Sequence, residues 1–438
     1  MTLPSIMKIN RSHGILLALI MIPAVGIWAY REKSSASTKT GMQVESAESA
    51  EGKVSDRGGP RPSKKEIRDK AKAWQQRLLE DHPEMTLSSR QVAAEDNGYL
   101  QWLAFIEECR ANGKMVGNSF ALPEDIKGII EGDKPWDAAR VGKWLDANQE
   151  LMDKIIALGL LPDHSTTGID SARLAENQQF AGNLAPLLLA YARHALDQGN
   201  GADAIEALQS LIGSARHLED VETPTYLAMV SAAGTRARIL DFMVGDAIAD
   251  ADAATLQQLR KLISDDPQIP GSFGLFARGD WQIMSENYLL PTLLGGDRLI
   301  SDVPPSFLKQ PELIAESYTR ASSELAQHWD KASLRDMLAP PPDVTVALPL
   351  GLSAEDQEHF RMLTHGLIEG VAKGWALQQI EKVMTDAALA IALGEEPPVE
   401  PVSGKPFVIG EGGILKLPDD PVFSDVTLES LRIPKRKN

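Results

Sequence analysis

The sequence predicts a mainly α protein, in which antiparallel helical hairpins form a helical domain and a small β-hairpin lies near the C-terminus. Three observations predict it. Across residues 171–248, apolar residues recur at spacings of three, four and seven in three consecutive segments separated by short turns, as expected for amphipathic helices packed antiparallel. Hydrophobic residues make up 43% of the chain but aromatic ones only 5%, so alanine and leucine must fill the core, and small side chains let helices approach closely. Finally, residues 405–417 place Gly410, Gly412 and Gly413 between two apolar runs, where glycine supplies a hairpin turn.

In chain order, residues 1–33 read as a signal anchor. Gly14 to Tyr30 carries no charge, Lys8 and Arg11 precede it, and Trp28 and Tyr30 suit an interfacial position. A cleaved signal peptide, with Ala24-Val25-Gly26 as the nearby small residues, is the alternative. The expected location is therefore a single-pass inner-membrane protein with a periplasmic body, or a secreted one after cleavage. Arg31 and Lys33 weaken the orientation signal. Residues 34–63, rich in Ser, Ala, Gly, Lys and Glu, read as a flexible tether.

A helical domain is expected over 64–338. Its first helices cover 64–79, then Tyr99 to Ile106, then 136–158. A loop at 160–170 leads into the hairpins. The first hairpin helix, 171–198, contains Pro186, which predicts a kink or break. Gly199-Asn200-Gly201 ends it, the second carries Ile205, Leu208, Ile212 and Ala215, and Thr223-Pro224 predicts the start of the third. After a short helix at 256–263, the glycines and prolines of 264–305 predict a loop-rich region. A helix over 311–338, a Pro-rich crossover at 339–352, one long helix over 353–396 opened by Ser353, and a tail at 397–438 with the hairpin complete the reading.

The net charge is −17. Lys8, Arg11, Arg31, Lys33, Arg432, Lys435, Arg436 and Lys437 sit at the two ends, so the body between them is more acidic still. Such a body repels phosphate backbones and argues against nucleic-acid binding. Cys109 is the single cysteine, which excludes an intramolecular disulfide and reads as a packed small hydrophobe.

Two resemblances follow from particular residues. Tyr191, Gly199, Ala204 and Leu208 fall where a tetratricopeptide hairpin places its large, turn, small and large residues, with departures at Leu211 and Arg216 and no second copy at a 34-residue period. The tail Pro401-Val402-Ser403-Gly404-Lys405-Pro406-Phe407 after an alanine-rich helix resembles that of certain uncharacterised bacterial envelope proteins with an N-terminal anchor, a helical body and a Pro-x-x-Gly-Lys-Pro tail. It is also similar to the C-terminal hairpin of type II secretion pseudopilins, although the pilin cleavage site and its following glutamate are missing from the start of the chain.

No nucleophile elbow, Walker loop or dinucleotide fingerprint occurs. His217, Glu219 and Asp220 cluster before the third hairpin helix, where acids ordinarily complement a helix N-terminus. Glu355 and His359, four apart, share a helix face. These five residues are the candidates for an enzyme reading, an envelope hydrolase or metal-dependent enzyme using the 264–305 loops. No cofactor is implied. The leading expectation is a membrane-tethered extracytoplasmic scaffold or assembly factor that binds another envelope protein through a groove between hairpins near Tyr191 and Tyr226. A small-ligand sensor is the third reading.

Overall fold

The computed structural model describes residues 63–435, apart from 117–118, 171–173, 175–179, 267–272, 296–302, 340–351, 365–367, 425 and 427. The expected anchor, nearly all of the tether, and most of the Pro-rich crossover lie outside the described residues. Among the described residues no helix is long and apolar enough to cross a membrane. The fold is mainly α with a small C-terminal antiparallel sheet, as the sequence predicts.

Helix α1 (Lys64–Asp81) opens on a capping box in which Glu66 N donates to Ser63 Oγ and Ser63 N to Glu66 Oε2. Helix α2 (Gly98–Ala111) starts at Asn97 and buries Cys109, whose thiol pKa is raised by that burial. A two-residue ribbon, β1 (Met115–Val116) with β2 (Ser119–Phe120), and a short α3 (Glu124–Ile130) follow. The single helix expected over 136–158 is two, α4 (Ala138–Ala147) and α5 (Gln149–Gly159). Asn148 breaks it by leaving helical φ and donating its side-chain amide to Trp144 O at 2.8 Å.

The three hairpin helices are α6 (Phe180–Asp197), α7 (Gly201–Glu219) and α8 (Tyr226–Phe242), the last continuing through a π turn at Met243–Ala247 into Ile248–Asp250. Pro186 does not break α6. It removes one backbone bond, and buried Leu184, Ala185, Leu187 and Leu188 hold the helix across that gap. Gly199 takes a φ of 71°, and Asn200 caps α7 by accepting from Asp203 N. The third helix starts later than Thr223-Pro224 predicts. Its cap is Thr225, which accepts from Ala228 N at 3.1 Å.

After α9 (Ala253–Asp265), the described part of the region expected to be loop-rich is largely helical. α10 (Gly274–Met284) continues through a π turn at Ser285–Leu289 into Leu290–Leu293. Its glycines mark close approaches rather than breaks: a Cβ at Gly279 would stand 1.8 Å from Pro224 O, and one at Gly274 2.2 Å from Ala326 O. Then come α11 (Pro311–Trp329) and α12 (Leu334–Leu338), so the helix expected over 311–338 is also two. The expected long helix is described as α13 (Ala354–Thr364) and α14 (Ile368–Leu393), either side of residues 365–367.

The predicted hairpin forms from β3 (Val408–Gly410) and β4 (Ile414–Lys416), with Gly412 and Gly413 at positive φ. A strand that the sequence reading missed, β5 (Leu431–Arg432), pairs with β4. Leu415 and Phe407 fix this sheet to the main core. The Pro-x-x-Gly-Lys-Pro segment is a turn held by Glu400, whose fully buried carboxylate accepts from Val402 N, Ser403 N and Ser403 Oγ at 2.6–2.8 Å.

One core joins α2 and α4–α9 to the end of α14; another joins α1, α10, α11 and α13. Where α5 meets α7 there is no room for side chains. A Cβ at Gly213 would lie 1.9 Å from Gly159 O, and one at Gly159 2.2 Å from Ser210 O. Gly213→Ala is expected to destabilise the protein by about 1–3 kcal/mol, because backbone rather than a flexible side chain must move. A fall in the urea midpoint checks this.

Candidate functional site

The end of α5, the loop after it, α7 and α9 enclose a half-open groove of about 490 Å³. Leu160, Leu161 and Pro162 form one wall. Ile205, Gln209, Ile212 and Arg216 come from one face of α7, and Gln258, Lys261, Leu262 and Asp265 from α9. The chain after α5, which forms one wall, is fastened to the end of α7 and to the segments before α2 and after α7.

The fastening is a knot of buried polar groups. Asn97 Oδ1 accepts from Ser165 N at 3.0 Å while its amide donates to Ser165 O at 2.9 Å. Glu222 accepts from Thr166 N at 2.7 Å and from Arg90 Nε at 3.0 Å. Burial works against its charge, but these bonds outweigh it and hold the carboxyl pKa low. His217 lies beneath the loop, 1% exposed. Trp102 Nε1 can only donate, and it reaches His217 Nδ1 at 3.2 Å; His217 Nε2 then donates to Leu161 O at 2.8 Å. The neutral ring is thus satisfied on both nitrogens, and burial lowers its pKa to about 4. The His164 ring lies 5.0 Å from it, with Nε2 at 3.2 Å from Asp220 Oδ2. That hydrogen bond is the main cause of the lowered Asp220 pKa.

Behind the groove is a buried ionic cluster. Arg236 on α8 reaches Asp266, just past α9, with Nε at 2.7 Å and Nη2 at 3.1 Å, and Glu219, at the end of α7, with Nη2 at 2.5 Å. Lys382 on α14 donates to Asp266 O at 2.8 Å. All three side chains of the triad are buried. Burial opposes the guanidinium charge, and the two carboxylates overcome it and raise its pKa; burial likewise raises that of Glu219, which shares the one arginine with Asp266. A cavity of about 20 Å³ adjoins Arg236, Gln378 and Gln379, large enough for one water.

Of the five residues picked from sequence, His217 and Asp220 meet one knot through His164, whereas Glu219 belongs to the ionic cluster. Glu219 and Asp220 end α7 rather than begin α8, so each is bound to a specific side chain instead of complementing a helix N-terminus. Glu355 and His359 lie apart on α13. Glu355 is exposed, and His359 meets the edge of Phe307. Neither a hydrogen bond nor an ion pair joins them among the described residues. Tyr191 does not line the groove, and the Tyr226 side chain lies outside the description. Among the described residues, no group of three or more His, Cys, Asp or Glu side chains is arranged to hold a metal ion.

Sequence reasoning missed Arg236, Asp266, His164 and Arg216. A signal existed for the first: Arg236 falls four after Ala232 and three before Ile239, in phase with buried residues. Comparison with protein-family models, curated proteins and solved structures found no match.

Replacing Arg236 by Met leaves two buried carboxylates without their cation, and it is expected to destabilise the protein by about 3–5 kcal/mol in urea unfolding. His217 gives a pH dependence of known sign. Its folded pKa, about 4, is below its ordinary value of 6.5, so the unfolded chain binds the proton first. Stability from this ring is complete above pH 6.5 and declines as pH falls toward 4, by about 3 kcal/mol. His217→Gln should flatten that part of the profile, measured as the difference in unfolding free energy between pH 7 and 4.5.

Proposed function

We propose that this chain is a membrane-tethered extracytoplasmic protein that binds another envelope protein, as a scaffold or assembly factor. The observation that carries the reading is the free edge of the C-terminal sheet. In the order β3–β4–β5, β3 has no described strand on its outer side. Val399, Val408 and Ile409 beside it are each about half exposed. Exposed apolar edges invite pairing. A partner segment adding to β3 would cover both the backbone and the side chains. The uncharged run 14–30 supports the tether, and the resemblance of the 401–407 tail supports an envelope setting. The histidines and acids near the groove are engaged in structural bonds, which supports binding over chemistry.

A photoreactive residue at position 409 of the full chain, activated in membranes, is expected to capture one discrete protein. The same residue at Val116, exposed on the separate β1–β2 ribbon, should not. Val408→Lys should reduce the 409 adduct about tenfold without altering the melting temperature. No adduct at 409, or equal capture at 116, would remove the reading.

A further inference from the structure

We infer that the groove between α5, α7 and α9 is a binding site for a small aliphatic monocarboxylate. This site lies on the helical body, away from β3, and does not depend on the protein-partner reading.

Its size and lining set the first limit. About 490 Å³ is ordinary for a small-molecule site, and the walls combine an apolar majority with a few polar groups, as such sites do. Leu160 stands at the rim, 40% exposed. An apolar ligand body would bury it along with Leu161 and Leu262.

Charge sets the second limit. Lys261 and Asp265 form an ion pair with each other. Asp266 faces Arg236 behind the floor, and His217 is neutral. That leaves Arg216. Its side chain is half-buried, lines the groove, and makes no hydrogen bond or ion pair among the described residues. Its Nε is sealed from solvent without a partner. Asp220 feels its charge, but it lies beyond ion-pair distance and is hydrogen-bonded to His164. A single unmatched cation with a planar fork of donors fits a carboxylate. A phosphate monoester would bring a second charge with nothing to meet it, in a protein whose net charge of −17 already repels polyanions. A cationic or purely apolar ligand would leave the guanidinium unsatisfied. Gln209 on α7 and Gln258 on α9 flank the groove with side-chain amides that have no described partner, available to a carboxylate oxygen or a polar substituent.

Hexanoate is the probe, with 1-hexanol, acetate and inorganic phosphate as comparisons, read by saturation-transfer NMR on the full chain in nanodiscs. Hexanoate is expected to bind saturably. 1-Hexanol should bind about tenfold more weakly or worse, since it lacks the charge-assisted hydrogen bonds. Acetate should be weaker because it buries no chain, and phosphate should not compete. Arg216→Ala should weaken hexanoate about tenfold or more, and Arg216→Lys less so, because it keeps the charge but loses the fork. Leu160→Asp, which sets a carboxylate at the rim, should abolish binding with an unchanged melting temperature; it decides the matter if Arg216→Ala does not fold. Absence of saturable hexanoate binding, equal binding of 1-hexanol, displacement by phosphate, or unchanged affinity in folded Arg216→Ala would each overturn the inference.

Discussion

The fold turns on a buried arginine shared by two carboxylates. Arg236 cannot shed its charge at any ordinary pH, so once buried on α8 it must keep Glu219 and Asp266 beside it. Those residues mark the ends of α7 and α9, and their common partner therefore fixes where both helices stop relative to α8. Lys382 and Gln378 on α14 bind backbone oxygens of the same neighbourhood, at Asp266 and Ala233. Four helices are thus located by one desolvated group. Asp266 also lines the groove, so the cluster forms part of its floor.

Close approach of small residues does the rest. Gly159 and Gly213 let α5 and α7 meet backbone to backbone, and Gly279 lets α10 reach the turn before α8. On α14, Ala372, Ala376, Ala387, Ala388 and Ala390 are all fully buried. Core atoms this near one another gain dispersion without large side chains, which reconciles a low aromatic content with a well-filled interior. The polar knot around Asn97, Glu222 and His217 has a complementary role. It holds residues 160–170 in a fixed path, so the groove has a rigid wall.

That arrangement also bears on what the chain does. His217, the most suggestive residue for acid–base chemistry, is neutral, buried and bonded on both nitrogens. Its neighbours are similarly engaged, while Arg216 and the apolar groove walls, together with the edge of β3, have no partner among the described residues. Unsatisfied donors and uncovered apolar surface are features that a binding event can complete. They are the features on which the proposed strand-binding and carboxylate-binding surfaces rest.

Sequence alone determined what neighbours along the chain decide. The hairpin helices, the helix end at Gly199, the cap at Ser353 and the glycine turn of β3–β4 were legible because a period of 3.6, a capping side chain and a positive φ are local matters. Asn148 as a break and Gly274 and Gly279 as contacts were not, since the same residue types end helices in one setting and let them touch in another. The third strand, β5, is too short to carry a pattern of its own. The ionic cluster was out of reach for a different reason: Arg236 and Asp266 are 30 residues apart, and Lys382 lies 116 beyond Asp266. Only the tertiary packing could bring them together, because the attraction that offsets the cost of desolvating these charges becomes strong only once the fold has placed them side by side in a low-dielectric interior.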